Sequence, residues 1–343
     1  MSTRFCLSII ALGALAAAAG ISAPGEDPMA KAAIAFLESL DEEQREKCTF
    51  AFDDTERRNW QAAPMGDAGV RFDTLSEEQQ SEVRDLLKGA LSAEGLKAVD
   101  GVRRLEGILV AMEKARGQVS RFHGPGRYFL TVCGAPASSA PWGWRIEGHH
   151  LSFTFTSVRG EWTAHGPLFV GSQPALVRGG EHDGFRLLGS QDDNVRALYL
   201  SLDAKQQELA TDQGELPGNV LLLPGLDQGF DNPGGLVASE MTEKQRATLE
   251  KALFEWADWL RPDLAQAEKG RIRSGITKTR LLWRGEPGRD EPHYWRIVGP
   301  HFAIEYAAPE RDPDHVHALW RDTKNDFGGD LLKRHLEKDH GGR

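Results

Sequence analysis

The chain has 343 residues, 40% of them hydrophobic and 27% charged, and its 41 basic against 51 acidic side chains leave a formal charge of -10. That is a globular composition, long enough for one large core or two modest ones. The acidic balance and the lack of any Lys/Arg-rich run exclude the electrostatic footprint of nucleic-acid binding.

Behind Arg4, residues 6–19 form a short apolar run followed by small residues, the layout of a secretory signal peptide over residues 1–19, cleaved after Ala19 or as late as Ala23. The run falls short of the roughly 18–20 apolar residues of a spanning helix. A periplasmic or secreted protein with no membrane span after leader removal is expected. Cys48 and Cys133 then remain, either paired across the fold or as two isolated core thiols; neither belongs to a C-x-x-C motif.

Helix starts recur as Leu-Asp/Ser/Thr-type caps at Asp41, Ser76, Asp203 and, after Met, Thr242, each followed three residues later by Gln. This is the capping-box spacing, in which the cap oxygen accepts an orphan helix amide and the Gln returns the favour. Amphipathic helices are predicted near 29–40, 41–50, 76–92 and 102–119, and again near 191–201, 203–213 and 242–259. Each set precedes alternating segments that read as strands: 128–132 and 151–155 in the first, 279–283 and 302–306 in the second. Residues 144–151 (WRIEGHHL) match 295–302 (WRIVGPHF) at an offset of 151, and the same offset pairs Gly134 and Pro136 with Gly285 and Pro287. The expected fold is therefore α+β: two similar lobes, each helices plus antiparallel sheet, related by internal duplication about a pseudo-twofold axis. The lobes span 28–170 and 190–310, and a His-rich strand, loop and helix over 311–343 complete the site. Between the lobes, residues 179–184 are a turn-rich junction; within the second, residues 213–235 carry six Gly and three Pro and must be a long loop, a lid or an irregular excursion.

Six of the 11 histidines fall in the last 51 residues. In a strand, residues two apart share a face, so His315 and His317 would converge on one point, and paired neutral imidazoles suit zinc, copper or iron. On the preceding strand His301, Ala303 and Glu305 share one face and Phe302, Ile304 and Tyr306 the other. Glu305, a carboxylate in apolar surroundings, is a candidate third ligand or general base. His149 and His150 stand at the matching place in the first lobe; adjacent strand residues face opposite ways, so only one should reach the site. His165, His301, Asp326 and His335 are candidates to support the ligands from behind, and Arg145 or Arg321 to hold an anionic group of a small-molecule substrate. Two solvated histidines on an edge strand are the ordinary alternative for His315 and His317, and capping a helix is the ordinary one for Asp326. The G-x-S-x-G elbow, H-E-x-x-H, the phosphate loop and the EF-hand loop are all absent.

The segments 142–151, 166–171, 184–188, 301–306, His315-Val316-His317, 325–328 and His335 resemble a bacterial family of unknown function, numbered 3500, over nearly the whole chain after the leader. The resemblance implies no established reaction. In that family's pattern Asn precedes the H-x-H, where this chain has Asp314, a carboxylate able to act as an extra ligand or as an acceptor behind one. The leading expectation is an exported metalloprotein, an oxidative or hydrolytic enzyme with a mononuclear site. Its rivals are a non-catalytic periplasmic or cell-surface binding protein with a cleft between lobes, and a metal-independent hydrolase using paired carboxylates.

Overall fold

The computed structural model describes residues 27–61, 68–137, 140–158, 160, 162–224, 230 and 232–340; the expected leader and its cleavage site lie outside the described residues. In chain order the helices are α1 (Pro28–Ser39), α2 (Glu42–Cys48), α3 (Glu77–Ala90), α4 (Ala93–Ala115), α5 (Gly189–Leu200), α6 (Ala204–Ala210), α7 (Glu243–Ala257), α8 (Pro262–Gly275) and α9 (Gly329–His340). The strands are β1 (Thr49–Phe50), β2 (Val70–Arg71), β3 (Tyr128–Cys133), β4 (Pro141–Gly148), β5 (Leu151–Val158), β6 (Trp162–Ser172), β7 (Leu236–Val237), β8 (Arg280–Gly285), β9 (His293–Val298), β10 (Phe302–Ala308) and β11 (Val316–Asp322). The described residues thus form an α+β protein with one 11-stranded mixed sheet, ordered β1-β3-β4-β5-β6-β11-β10-β9-β8-β7, with β2 beside β3. Only β1 and β3 run parallel. No helix among the described residues is long and apolar enough to cross a membrane.

All four predicted capping boxes form, at α2, α3, α6 and α7. Their glutamines do more than cap. The amides of Gln44 and Gln79 bond each other, as do those of Gln206 and Gln245, and Gln79 and Gln245 also donate to the carbonyls of Ser39 and Ser201, both at 2.8 Å. Two helix starts are thereby tied together in each run. The structure corrects two helix readings. Helix α4 begins at Ala93, capped by Ser92, nine residues before the predicted start, because Gly95 and Gly101, poor helix formers, are needed for close packing. A Cβ on Gly95 would stand 2.1 Å from the Trp259 carbonyl oxygen. Helix α8 is absent from the sequence reading because it buries little beyond Ala265 and Ile272 as apolar side chains and so has almost no apolar stripe.

One face of the sheet carries the main core, where Trp142, Trp144, Phe153, Phe155, Trp295, Phe302, Ile304, Tyr306 and Trp320 are buried, and the helices other than α9, whose Leu331 packs with Val158 and Ala164. On the other face Phe169, Tyr294, Ala303, Ala307 and Leu319 pack under Val220 and Leu222, so part of the long glycine-rich loop lies against the sheet. The predicted division of Phe302, Ile304 and Tyr306 from Ala303 and Glu305 follows from the two-residue period of β10. Cys48 and Cys133 are buried free thiols, and burial pushes them up to about 12 and about 11.

Candidate metal centre

Histidines from two separate turns meet where β6 and β11 pair. Gly148 and Leu151 close the β4–β5 hairpin, leaving His149 and His150 as its turn. His150 takes the left-handed backbone (φ 63), a region histidine visits more readily than most residues. Strand alternation therefore does not apply, and the expectation that only one of the pair reaches the site is corrected. Both rings lie on the same side, stacked with centroids 3.7 Å apart. His317 sits on β11 opposite Gly171 of β6, and His315 occupies the bend before that strand. Gly171 leaves the room: a Cβ there would fall 2.3 Å from His150 Cδ2 and 3.0 Å from His317 Cδ2.

The nitrogens converge. His315 Nε2 lies 2.8 Å from His150 Nε2 and 3.0 Å from His317 Nε2. One ligand atom from each of His149, His150 and His315 falls within 4.8 Å of the others. Metal–nitrogen bonds of about 2.0–2.1 Å put tetrahedral ligand nitrogens about 3.3 Å apart, so the closest rings need part by only about half an ångström to take an ion.

Groups behind the rings settle where their protons sit. The amide N–H of Val220 donates to Asn219 Oδ1 at 2.8 Å, which identifies that atom as the side-chain oxygen. His317 Nδ1, 2.7 Å from the same oxygen, therefore carries the ring proton and leaves Nε2 as a lone pair. His149 Nδ1 lies 2.6 Å from Glu106 Oε1, and His150 Nδ1, otherwise without a partner, lies 3.7 Å from it. Burial, reinforced by neighbouring imidazoles, holds His150 well below the usual imidazole range, lowers His315 and pushes His317 down to about 3. Neutral rings result, with lone pairs to offer. A neutral His315 Nε2 has one proton or one lone pair, yet it faces two nitrogens at bonding distance. One of those contacts must go unsatisfied in any arrangement of neutral rings. His123 extends the stack outward, 4.1 Å from His149, with Nδ1 2.7 Å from Glu113 Oε1.

The other predicted site residues lie elsewhere. Glu305 is fully buried and accepts the amides of Leu221 (2.9 Å) and Leu222 (2.7 Å) and the Tyr294 hydroxyl; burial raises its carboxyl. Arg145 is held by Glu56 (2.5 Å) and Glu147 (2.9 Å), and Arg321 by Asp326 and the Leu222 carbonyl (2.7 Å), so both guanidinium groups have internal partners. Asp326 also accepts the Asp322 amide (3.0 Å), serving the loop instead of capping α9, and burial raises it to about 6. His165 and His301 flank Glu268 of α8 at 3.7 and 3.6 Å, in a buried network with Arg271 that is separate from the imidazole cluster. His335 is on α9, and its side chain lies outside the described residues. Asp314 accepts the amides of Ala175 (3.0 Å) and Leu176 (3.2 Å) and so pins the chain after β6. Glu106, Asn219 and Gly171 were not found from sequence. Glu106 had a signal: it falls among Val102, Leu105 and Leu109 on the buried stripe of α4, where an acid needs a partner.

A family model described as "Protein of unknown function (DUF3500)" matches residues 23–329. No curated protein and no solved structure matches the chain.

Proposed function

This chain belongs to the DUF3500 family of proteins of unknown function, and we propose that it is an exported metalloprotein in which His149, His150, His315 and His317 hold one transition-metal ion. The observation that carries this reading is the proton arithmetic at His315. Three neutral imidazole nitrogens crowd together with too few protons to satisfy them, and a single cation would use every lone pair at once. Glu106 and Asn219 supply the acceptors that hold ligand rings by their Nδ1 protons, the usual support behind a metal-bound histidine. An all-imidazole set suits zinc, copper or iron. Such an ion supplies Lewis acidity to an oxygen-bearing small molecule, in an oxidative or hydrolytic enzyme. Glu305, Arg145 and Arg321 take no part in this reading. Export rests on the leader-like residues 1–19.

We also infer that the chain is an internal duplication. In support, each helical run carries two capping boxes with paired glutamines and is followed by four successive antiparallel strands, and the sheet order mirrors itself about the β6–β11 pair. The first unit spans 28–170. The second spans 190–310, and 311–343 adds β11 and brings His315 and His317 to the site.

Elemental analysis of the purified, metal-reconstituted protein tests the central claim. About one ion per chain is expected, and none in the His315→Ala/His317→Ala double variant; less than about a tenth of an ion per chain would sink the reading.

A further inference from the structure

On the helix-covered side, the chain after β6, the N-terminus of α5 and the β10–β11 turn enclose a cavity of about 80 Å³, room for a few waters or one small ion. Three arginines line it: Arg178, Arg186 and Arg289. Arg186 is fully engaged, 2.6 Å from Asp193. The other two are not. Arg178 stands 3.5 Å from Asp314 and 4.0 Å from Asp290, and Arg289 is 3.3 Å from Asp193, whereas a guanidinium committed to a carboxylate bonds at about 2.7–2.9 Å. The carboxylate of Asp314, moreover, is already turned to the amides of Ala175 and Leu176. Two guanidinium groups therefore keep donors in reserve at the cavity wall.

Two further features of the wall point the same way. Tyr306 lines the cavity and is 4% exposed, yet its hydroxyl makes no hydrogen bond with any described residue. With no protein partner, that hydroxyl is open to the cavity and free to bond a ligand atom there. Helix α5 starts at Gly189 on the same wall with no side-chain cap hydrogen bond, although Asp192 stands in its first turn, so the positive end of its dipole also faces this wall. Arginine donors, a hydroxyl open to the cavity and the N-terminus of a 12-residue helix all favour an oxygen-rich anion.

We propose that this cavity binds a small oxyanion, the carboxylate or phosphate group of a ligand. It is a distinct site from the imidazole cluster and does not rest on the metal reading. Asp314 and Val316, the residues either side of His315, line the cavity.

Calorimetric titration of the full chain tests this, using protein stripped of metal and dialysed so that no ion can bind the probe. Inorganic phosphate and acetate are titrated separately at low ionic strength. Saturable one-site binding of either is expected, and which of the two binds tells phosphoryl from carboxylate. In Arg178→Ala/Arg289→Ala, two exposed positions whose loss leaves the core intact, affinity should fall by about tenfold or more, as expected on losing charge-assisted donors. Tyr306→Phe, which removes only the hydroxyl, should weaken binding severalfold. No saturable binding of either probe, or equal affinity in the unaltered chain and the double-arginine variant, would overturn the proposal. Either result would leave metal stoichiometry unaffected.

Discussion

Glu106 stands between two imidazoles, 2.6 Å from His149 Nδ1 and 3.7 Å from His150 Nδ1, and is 1% exposed. A carboxylate so placed orients the His149 ring and makes it a better electron donor, and its charge lies close to His150. Glu106→Gln keeps the shape and one acceptor but removes the charge, so metal affinity should fall by about 10–100-fold with the circular dichroism spectrum unchanged. Competition against a chromophoric chelator measures this; an unaltered Kd would remove Glu106 from the centre. His315 and His317 were legible in the sequence because their spacing is local. Glu106 was not, because 43 residues separate it from His149 and only the packing of α4 against the hairpin turn brings them together.

At the scale of elements, the β4–β5 turn and β6 cooperate through a single missing methyl group. Gly171 gives His150 and His317 their shared space, and its amide also donates to the His150 carbonyl at 2.8 Å. Gly171→Ala should cost roughly 1–3 kcal/mol by overpacking and should displace both rings. Thermal unfolding together with metal titration checks it: a variant that binds metal normally would show that the notch is not needed. Strand period made β10 and its faces readable in advance, and the capping spacing located four helix starts. The left-handed residue at the hairpin was not readable, since nothing in Gly-His-His says which residue leaves the strand. Nor was α8, whose few apolar positions leave no helical period to detect.

For the molecule as a whole, burying neutral histidines makes stability depend on pH. His150, His315 and His317 are all lowered from an ordinary value near about 6.5. Below about 6.5 the unfolded chain takes up protons that the folded chain refuses, so the metal-free protein should lose stability as pH falls from there toward about 3, where His317 itself titrates. Above about pH 7.5 these groups contribute no slope. Urea unfolding at several pH values, compared with His150→Gln/His317→Gln, isolates the effect; equal slopes in the two proteins would contradict it. The sheet order carries a final consequence. His149 and His150 belong to the β3–β6 side of the β6–β11 ladder and His315 and His317 to the other, so an ion held by all four would clamp the sheet at its middle. Deuterium uptake should then report the ion's presence locally. Chelation should quicken exchange in β6 and β11 while leaving β3 and β8 as slow as before, and uniform quickening would argue against such a clasp.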